Sequence, residues 1–275
     1  MPSSPLAAIP DGPVPVPTAI QRIAGSASIT PVWRNGLGGL TFRLGEEGAP
    51  GTRFAKWVAH GTPELDLAAE ADRLRWAGQH RAGTLRVPEV LDQGRNDEGS
   101  WLVMSALPGR SAVHPDWVAD PATAARGIGA GLRLFHDTLP VAECPFSWSI
   151  EERRRAALEH LDGGTQPADW SPEHRHLTVP EARALLAEAP EIEHLVVCHG
   201  DACAPNTLLT ADGGYAAHVD LDSLGVADAW ADLAVAAWST VWNYGPGYED
   251  EVYAGYGVAA DPERIAYYRL LWDLS

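Results

Sequence analysis

Lys56, Asp201, Asn206 and Asp220 have the side-chain types, and the order along the chain, that moving a phosphoryl group requires. Such a transfer needs a cation against phosphate oxygens, a carboxylate to orient a hydroxyl and take its proton, and hard oxygen donors for a divalent ion. Lys56 is the single lysine in 275 residues, the other nineteen basic residues being arginine. In a chain so depleted of lysine, the survivor marks a place where a compact ammonium on a flexible stem does what a planar guanidinium fork cannot. Asp201 lies in His199-Gly200-Asp201, directly after the apolar run 195–198, so it leaves a strand and points into a cleft. Asn206 follows five residues later, with an amide oxygen suited to a hard cation. Asp220, nineteen residues beyond Asp201, ends a second apolar run, 215–219. Aspartate and asparagine in loops commonly build turns or cap helices; it is the ordered set that points to phosphoryl chemistry.

The elements that must position these groups fall into two parts. Residues 28–34, 40–44 and 53–58 read as strands, the first two joined by Asn35-Gly36-Leu37-Gly38-Gly39 as a hairpin. The backbone N–H groups of that turn, at Gly36, Gly38 and Gly39, are unshielded and able to close over phosphate. A helix is expected over 63–77, with Leu67, Ala71, Leu74 and Ala77 on one face, Pro63 in the first turn and Gly78 as the stop. Its Glu70 is the candidate carboxylate for Lys56, although Glu64, Asp66 and Asp72 share the helix. Segments 87–91 and 101–106 return to strand character. Beyond Pro108-Gly109 the pattern turns helical, over about 115–139, 150–161, 180–188, 229–242 and 262–274, with 195–198 and 215–219 as short strands among them. The fold class expected is α+β with two lobes: 19–107 a small mixed or antiparallel β lobe with one helix, and 108–275 a larger, mainly helical lobe. Residues 1–18 are a proline-rich extended arm. Asp228 and Asp232, at the start of the 229–242 helix, read as caps or as ties to the loop at 199–206, and Trp238 and Trp242, on one helical face, are core candidates.

Composition narrows the partners. The formal charge is −17, which disfavours nucleic acid and anionic membranes and favours a cationic small molecule. Three cysteines without paired CxxC spacing suggest neither a disulfide framework nor a zinc site. With no signal-peptide pattern and no apolar run near 20 residues, a cytoplasmic protein, monomer or weak dimer, is expected.

With Lys56, His199-Gly200-Asp201, Asn206, Asp220 and Gly225-Val226-Ala227-Asp228 in this order, the chain resembles the aminoglycoside O-phosphotransferases, relatives of the protein kinases, from about residue 20 to 275. Phrases such as Leu134-Phe135-His136, Cys144-Pro145-Phe146 and Tyr267-Tyr268-Arg269-Leu270-Leu271 are similar to the branch that phosphorylates a 3'- or 3''-hydroxyl. The resemblance implies a protein-kinase-like fold, ATP or GTP as donor and Mg2+ as cofactor. It gives Asp201 as the catalytic carboxylate, Asn206 and Asp220 as metal ligands, and Lys56 held by Glu70 against the phosphates. Met104, Ser105 and Leu107 would line the adenine, and Asp273 and Ser275, with Asp201, would meet the antibiotic. Two departures stand out: Asp222-Ser223 replaces a usual Gly-Arg, and the acidic pair near the C-terminus is reduced to Trp272-Asp273. The function implied is an aminoglycoside 3'-phosphotransferase conferring antibiotic resistance. The alternatives are a streptomycin 3''-phosphotransferase, another small-molecule hydroxyl kinase, or a nucleotide-binding regulatory protein without turnover.

Overall fold

The computed structural model describes residues 7–8, 10, 12, 14–62 and 66–275. The chain forms two compact units, one of Met1–Gln79 with Val87–Pro108 and one of His80–Arg86 with Gly109–Ser275.

The first unit is built on an antiparallel sheet. Its strands are β1 (Ala7–Ala8), β2 (Ile29–Asn35), β3 (Leu40–Leu44), β4 (Arg53–Ala59), β5 (Val90–Arg95) and β6 (Gly99–Ser105), in the spatial order β1-β2-β3-β4-β6-β5. Alternation decides which way β3 faces: Leu40, Phe42 and Leu44 are buried while Thr41 and Arg43 between them are less so. Those three side chains join Ala55, Val103, Ile20 and Ala24 in one apolar cluster. Ile20 and Ala24 come from α1 (Thr18–Ala24), so this unit has a helix that the sequence pattern did not announce. At seven residues it is too short for apolar periodicity to stand out. The expected arm is in part structured, since Ala7 and Ala8 pair with Asn35 and Arg34 at the sheet edge, and Val14 and Val16 pack on the cluster.

The second helix of this unit, α2 (Leu67–His80), carries the expected face of Leu67, Ala71, Leu74 and Ala77. Pro63 and Glu64 lie outside the described residues. The helix does not stop at Gly78 but continues to His80. Glycine weakens a helix by about 1 kcal/mol relative to alanine without ending it, and the space around Gly78 is open.

The second unit is mainly helical. Two small sheets, β7 (Arg110–Ser111) with β9 (Thr207–Leu209) and β10 (Tyr215–His218), and β8 (Leu195–Cys198) with β11 (Gly225–Asp228), stand among the helices. The helix expected over 115–139 is two: α3 (Pro115–Val118) and α4 (Pro121–Thr138). Asp120 caps α4 through the Thr123 N–H, and Pro121 at its first position disfavours helix in the residue before it. There follow α5 (Ile150–Asp162), α6 (Val179–Ala187), α7 (Trp230–Tyr244), α8 (Glu249–Tyr256) and α9 (Pro262–Leu274). The α8 helix was not anticipated, being a short run behind the Gly245-Pro246-Gly247 turn. Glycine lets it lie against α4: a Cβ on Gly129 would come within 2.0 Å of the Val252 carbonyl oxygen, and one on Gly255 within 2.3 Å of that of Arg126. The α7 helix is buried along most of its length, from Trp230 to Thr240. No helix among the described residues is long and apolar enough to cross a membrane.

Candidate active site

In the first unit, β4 sets Lys56 opposite Thr41 on one side and Leu102 on the other. Its Nζ donates to both carboxylate oxygens of Glu70, at 2.7 and 2.8 Å. Glu70 is 1% exposed. A charge taken so far out of water is tolerated only with a partner, and removing one member of such a pair costs about 3–5 kcal/mol. Among the described helix acids, Asp66 accepts from the Ala68 and Ala69 N–H groups at the helix start and Asp72 is exposed, while Glu70 lies on the buried face and meets the ammonium.

The glycine turn is held largely by its own first residue. The Asn35 side-chain oxygen accepts from the N–H groups of Leu37 and Gly39, at 3.1 and 2.7 Å, and the Gly38 N–H reaches the Asn35 carbonyl at 3.1 Å. Three of its donors therefore close the hairpin, fewer remaining for phosphate than the glycine content suggests. Met104 pairs with Phe54 and Val90 at the end of β6. Ser105 donates its N–H to the Glu89 carbonyl at 2.9 Å, and Leu107 follows just past the strand.

In the second unit, Asp201 sits three residues past the end of β8, in a loop fastened at several points. Asp232, fully buried on the first turn of α7, accepts the backbone N–H of His199 at 2.6 Å through one oxygen and that of Gly200 at 2.9 Å through the other. The same carboxylate bonds to His136 Nε2 at 2.9 Å, and His136 Nδ1 bonds to the Tyr256 hydroxyl at 2.9 Å. Burial alone would push Asp232 up, yet the His136 ring and the backbone donors hold it below the usual carboxylate range. Further along, the Ala204 N–H donates to Ser239 Oγ at 2.8 Å, and Ser111 Oγ donates to the Pro205 carbonyl at 2.9 Å. Gly200 has φ +88°, and a Cβ there would stand 2.2 Å from the Ser223 carbonyl oxygen. Only glycine serves at that turn.

The candidate catalytic carboxylate, Asp201, and the two candidate metal ligands, Asn206 and Asp220, come together at this loop. Asn206 Nδ2 donates to the Asp201 carbonyl at 2.9 Å and to Asp201 Oδ2 at 3.0 Å. The Val219 N–H donates to the Asn206 carbonyl at 3.0 Å, and His199 Nε2 lies 2.9 Å from the Val219 carbonyl, so the residue preceding Asp220 is tied to both sides of the loop. Asp220 has φ +66°, the one left-handed residue other than glycine among the described residues. Strain of this kind, about 1–3 kcal/mol, persists where the surroundings dictate the position of a functional group. Burial first and the neighbouring Asp220 carboxylate after it push Asp201 above its ordinary range, offset in part by the Cys203 thiol and the Asn206 amide. Asp201 Oδ1 is buried and accepts no hydrogen bond. An orphaned carboxylate oxygen beside a second carboxylate is what a hydroxyl nucleophile and a cation would complete.

The C-terminal candidates sit differently. Asp273 turns inward: its oxygens accept from the Ser171 N–H and hydroxyl and from His174 Nδ1, at 2.7–3.1 Å, with its side chain 8% exposed. Ser275 Oγ accepts from Arg153 at 3.3 Å. Asp228, just ahead of α7, accepts from the Trp230 N–H and from the Glu193 N–H. Ser239 was not singled out in the sequence, where one hydroxyl in an apolar helix carries no signal of its own.

An antiparallel sheet unit that presents a lysine–glutamate pair, followed by a helical unit with a braced aspartate–asparagine–aspartate loop, defines the protein-kinase-like class of phosphotransferases. The sequence pattern of the phosphotransferase enzyme family matches residues 29–268. An aminoglycoside 3'-phosphotransferase of Streptomyces ribosidificus is 34% identical over 262 residues, 84% of this chain and 94% of that protein. A streptomycin 3''-kinase of Streptomyces griseus is 34% identical over 276 residues, 91% of this chain and 97% of the relative. Among solved structures, aminoglycoside phosphotransferase APH(3'')-Id from Streptomyces rimosus aligns with a TM-score of 0.75 at 29% identity, covering 94% of this chain and 96% of that one. The chain belongs to the phosphotransferase enzyme family.

Proposed function

We propose that the protein transfers the γ-phosphoryl group of ATP to a hydroxyl of an aminoglycoside, at the 3' position of kanamycin- or neomycin-type sugars, and so confers resistance. The observation that carries this reading is the orphaned Oδ1 of Asp201, next to Asn206 and within electrostatic reach of Asp220. Asp201 would accept a hydrogen bond from the acceptor hydroxyl, hold it in line with the donor phosphate and take its proton as the new P–O bond forms. Its raised affinity for a proton suits that task.

With Nδ2 of Asn206 directed at Asp201, the amide oxygen is the atom for a cation, and the Asp220 carboxylate supplies a second hard oxygen; this donor chemistry fits Mg2+. The ion would neutralise charge on the phosphates as they separate. Lys56, fixed by Glu70, would hold the α- and β-phosphates. Met104 would stand behind the adenine, with the Ser105 carbonyl and the Leu107 N–H meeting its edge through the backbone. Modification adds a dianion to a polycation and removes a hydroxyl donor, both of which weaken binding to RNA.

A second reading keeps the chemistry and moves the acceptor to the 3''-hydroxyl of streptomycin. It is favoured by the structural relative, which has also been solved in complex with ADP and streptomycin, at a TM-score of 0.72 and 30% identity. Incubating the enzyme with MgATP and kanamycin or streptomycin, followed by mass and phosphorus NMR analysis of the products, separates the two. A phosphorylated kanamycin with a 3'-O–P coupling is the expected product; turnover of streptomycin alone moves the acceptor to the second reading, and turnover of neither removes the aminoglycoside reading.

A further inference from the structure

Beside the braced loop the second unit carries an aromatic surface that phosphoryl transfer itself does not use. Trp238, Trp242 and Trp272 form a closed group, with ring centroids 4.8 Å apart for the first two, 5.5 Å for Trp242 and Trp272, and 6.0 Å for Trp238 and Trp272. Trp238 is buried, whereas Trp242 is 46% exposed. A single exposed apolar side chain is ordinary, and six others among the described residues are about as open; Trp242 differs in being an indole packed against two more, a rigid aromatic face of the kind on which cations and sugar rings stack. The place is also telling. Ser239, whose hydroxyl anchors the loop after Asp201 through the Ala204 N–H, lies three residues before Trp242 on α7. At about 100° per residue, Trp242 sits one turn further along, rotated by roughly 60° from that anchor.

The group already shows what it attracts, for the guanidinium of Arg269 lies 5.6 Å from the ring centre of Trp238. Indole faces attract cations and also lie flat on the C–H faces of sugar rings. The nearest acidic candidate, Asp273, is engaged by Ser171 and His174. We infer that Trp242, backed by Trp238 and Trp272, is the platform on which a cation-bearing ring of the acceptor substrate stacks, which makes it a specificity-determining residue. The inference rests on the reading of the acceptor given above. The net charge of −17 supplies the complementary long-range attraction, while the indole supplies a contact that needs no carboxylate.

The test uses the intact enzyme and its Trp242→Ala, Trp242→Phe and Trp242→Lys variants. KM and kcat are measured for kanamycin and streptomycin, direct binding of each drug is followed by calorimetry without nucleotide, and size-exclusion chromatography reports association. Trp242→Ala is expected to raise KM and the calorimetric Kd roughly 3- to 30-fold, the range of a partly desolvated cation–π contact, with kcat falling by a smaller factor. Trp242→Phe should recover most of the loss, and Trp242→Lys should bind more weakly than alanine. A Kd in Trp242→Ala within twofold of wild type for both drugs overturns the inference. So does a wild-type dimer that Trp242→Ala dissociates without any change in KM, because the occupant is then a second copy. If wild type binds a drug through Trp242 but does not phosphorylate it, the platform stands and the proposed reaction fails.

Discussion

At the scale of single residues, burial and the neighbouring Asp220 make the Asp201 carboxylate hold a proton more tightly than it would in water. Replacing Asp201 by Asn keeps the shape and would remove the proposed proton acceptor. Turnover should fall by about 10²- to 10⁴-fold while MgATP still raises the melting temperature, as read by a coupled assay beside thermal shift; an Asp201→Asn enzyme at near wild-type rate would refute the role. Gly200→Ala tests the turn beneath it. A methyl group 2.2 Å from the Ser223 carbonyl, on a backbone with φ +88°, should cost at least about 2 kcal/mol, or roughly 4–8 °C in melting temperature; an unaffected transition would show that the turn can relax.

At the scale of elements, β8, β10, α4 and α7 bury the rings of His136, His199 and His218 together. The His199 and His218 ring centres are 5.3 Å apart, and His218 lies 5.2 Å from Phe135. Burial first, then the neighbouring His199, depresses His218 from 6.5 to about 3. A histidine that folds neutral stabilises the native state fully only above its unfolded pKa, and that contribution drains away as pH falls from about 6.5 towards 3. The melting temperature should therefore drop steadily below about pH 6.5, and His218→Leu should flatten the drop between pH 6.5 and 4.5. An equally steep fall in the variant would place the acid sensitivity elsewhere. Elements of this kind mark what the sequence discloses and what it withholds. Leu40–Leu44, Leu195–Cys198 and Pro262–Leu274 were legible to the residue, because alternation, an unbroken apolar run and an Asp-Pro start are local signals. The break at Asp120 carries the same Asp-Pro signal but interrupts a helical pattern that runs on across it, and α8 depends on glycine-to-backbone contacts between α4 and α8 that no local pattern records. The same division holds at the candidate site. Lys56, Asp201, Asn206 and Asp220 stood out by type and spacing. The choice of Glu70 among several helix acids, and the inward turn of Asp273 towards Ser171, 102 residues away in sequence, were set by packing that no local pattern records.

At the scale of the whole molecule, 37 acidic against 20 basic side chains make the protein an anion at neutral pH. Attraction of a polycationic acceptor by such a surface is long-ranged and screened by salt, whose Debye length falls from about 10 Å at 0.1 M to about 3 Å at 1 M. KM for the aminoglycoside should accordingly rise several-fold between 0.05 and 0.5 M KCl, with kcat changing less. A KM indifferent to salt would mean that short-range contacts alone capture the drug.

The lysine–glutamate pair of the sheet unit has a practical corollary. With one ε-amine in the sequence, and that one clasped by two oxygens of Glu70, an acyl-phosphate analogue of the nucleotide has a single lysine on which to leave its mark. Intact-mass spectrometry would then read lysine labelling as a yes-or-no quantity per molecule, and protection by added ATP could be titrated from peak heights alone.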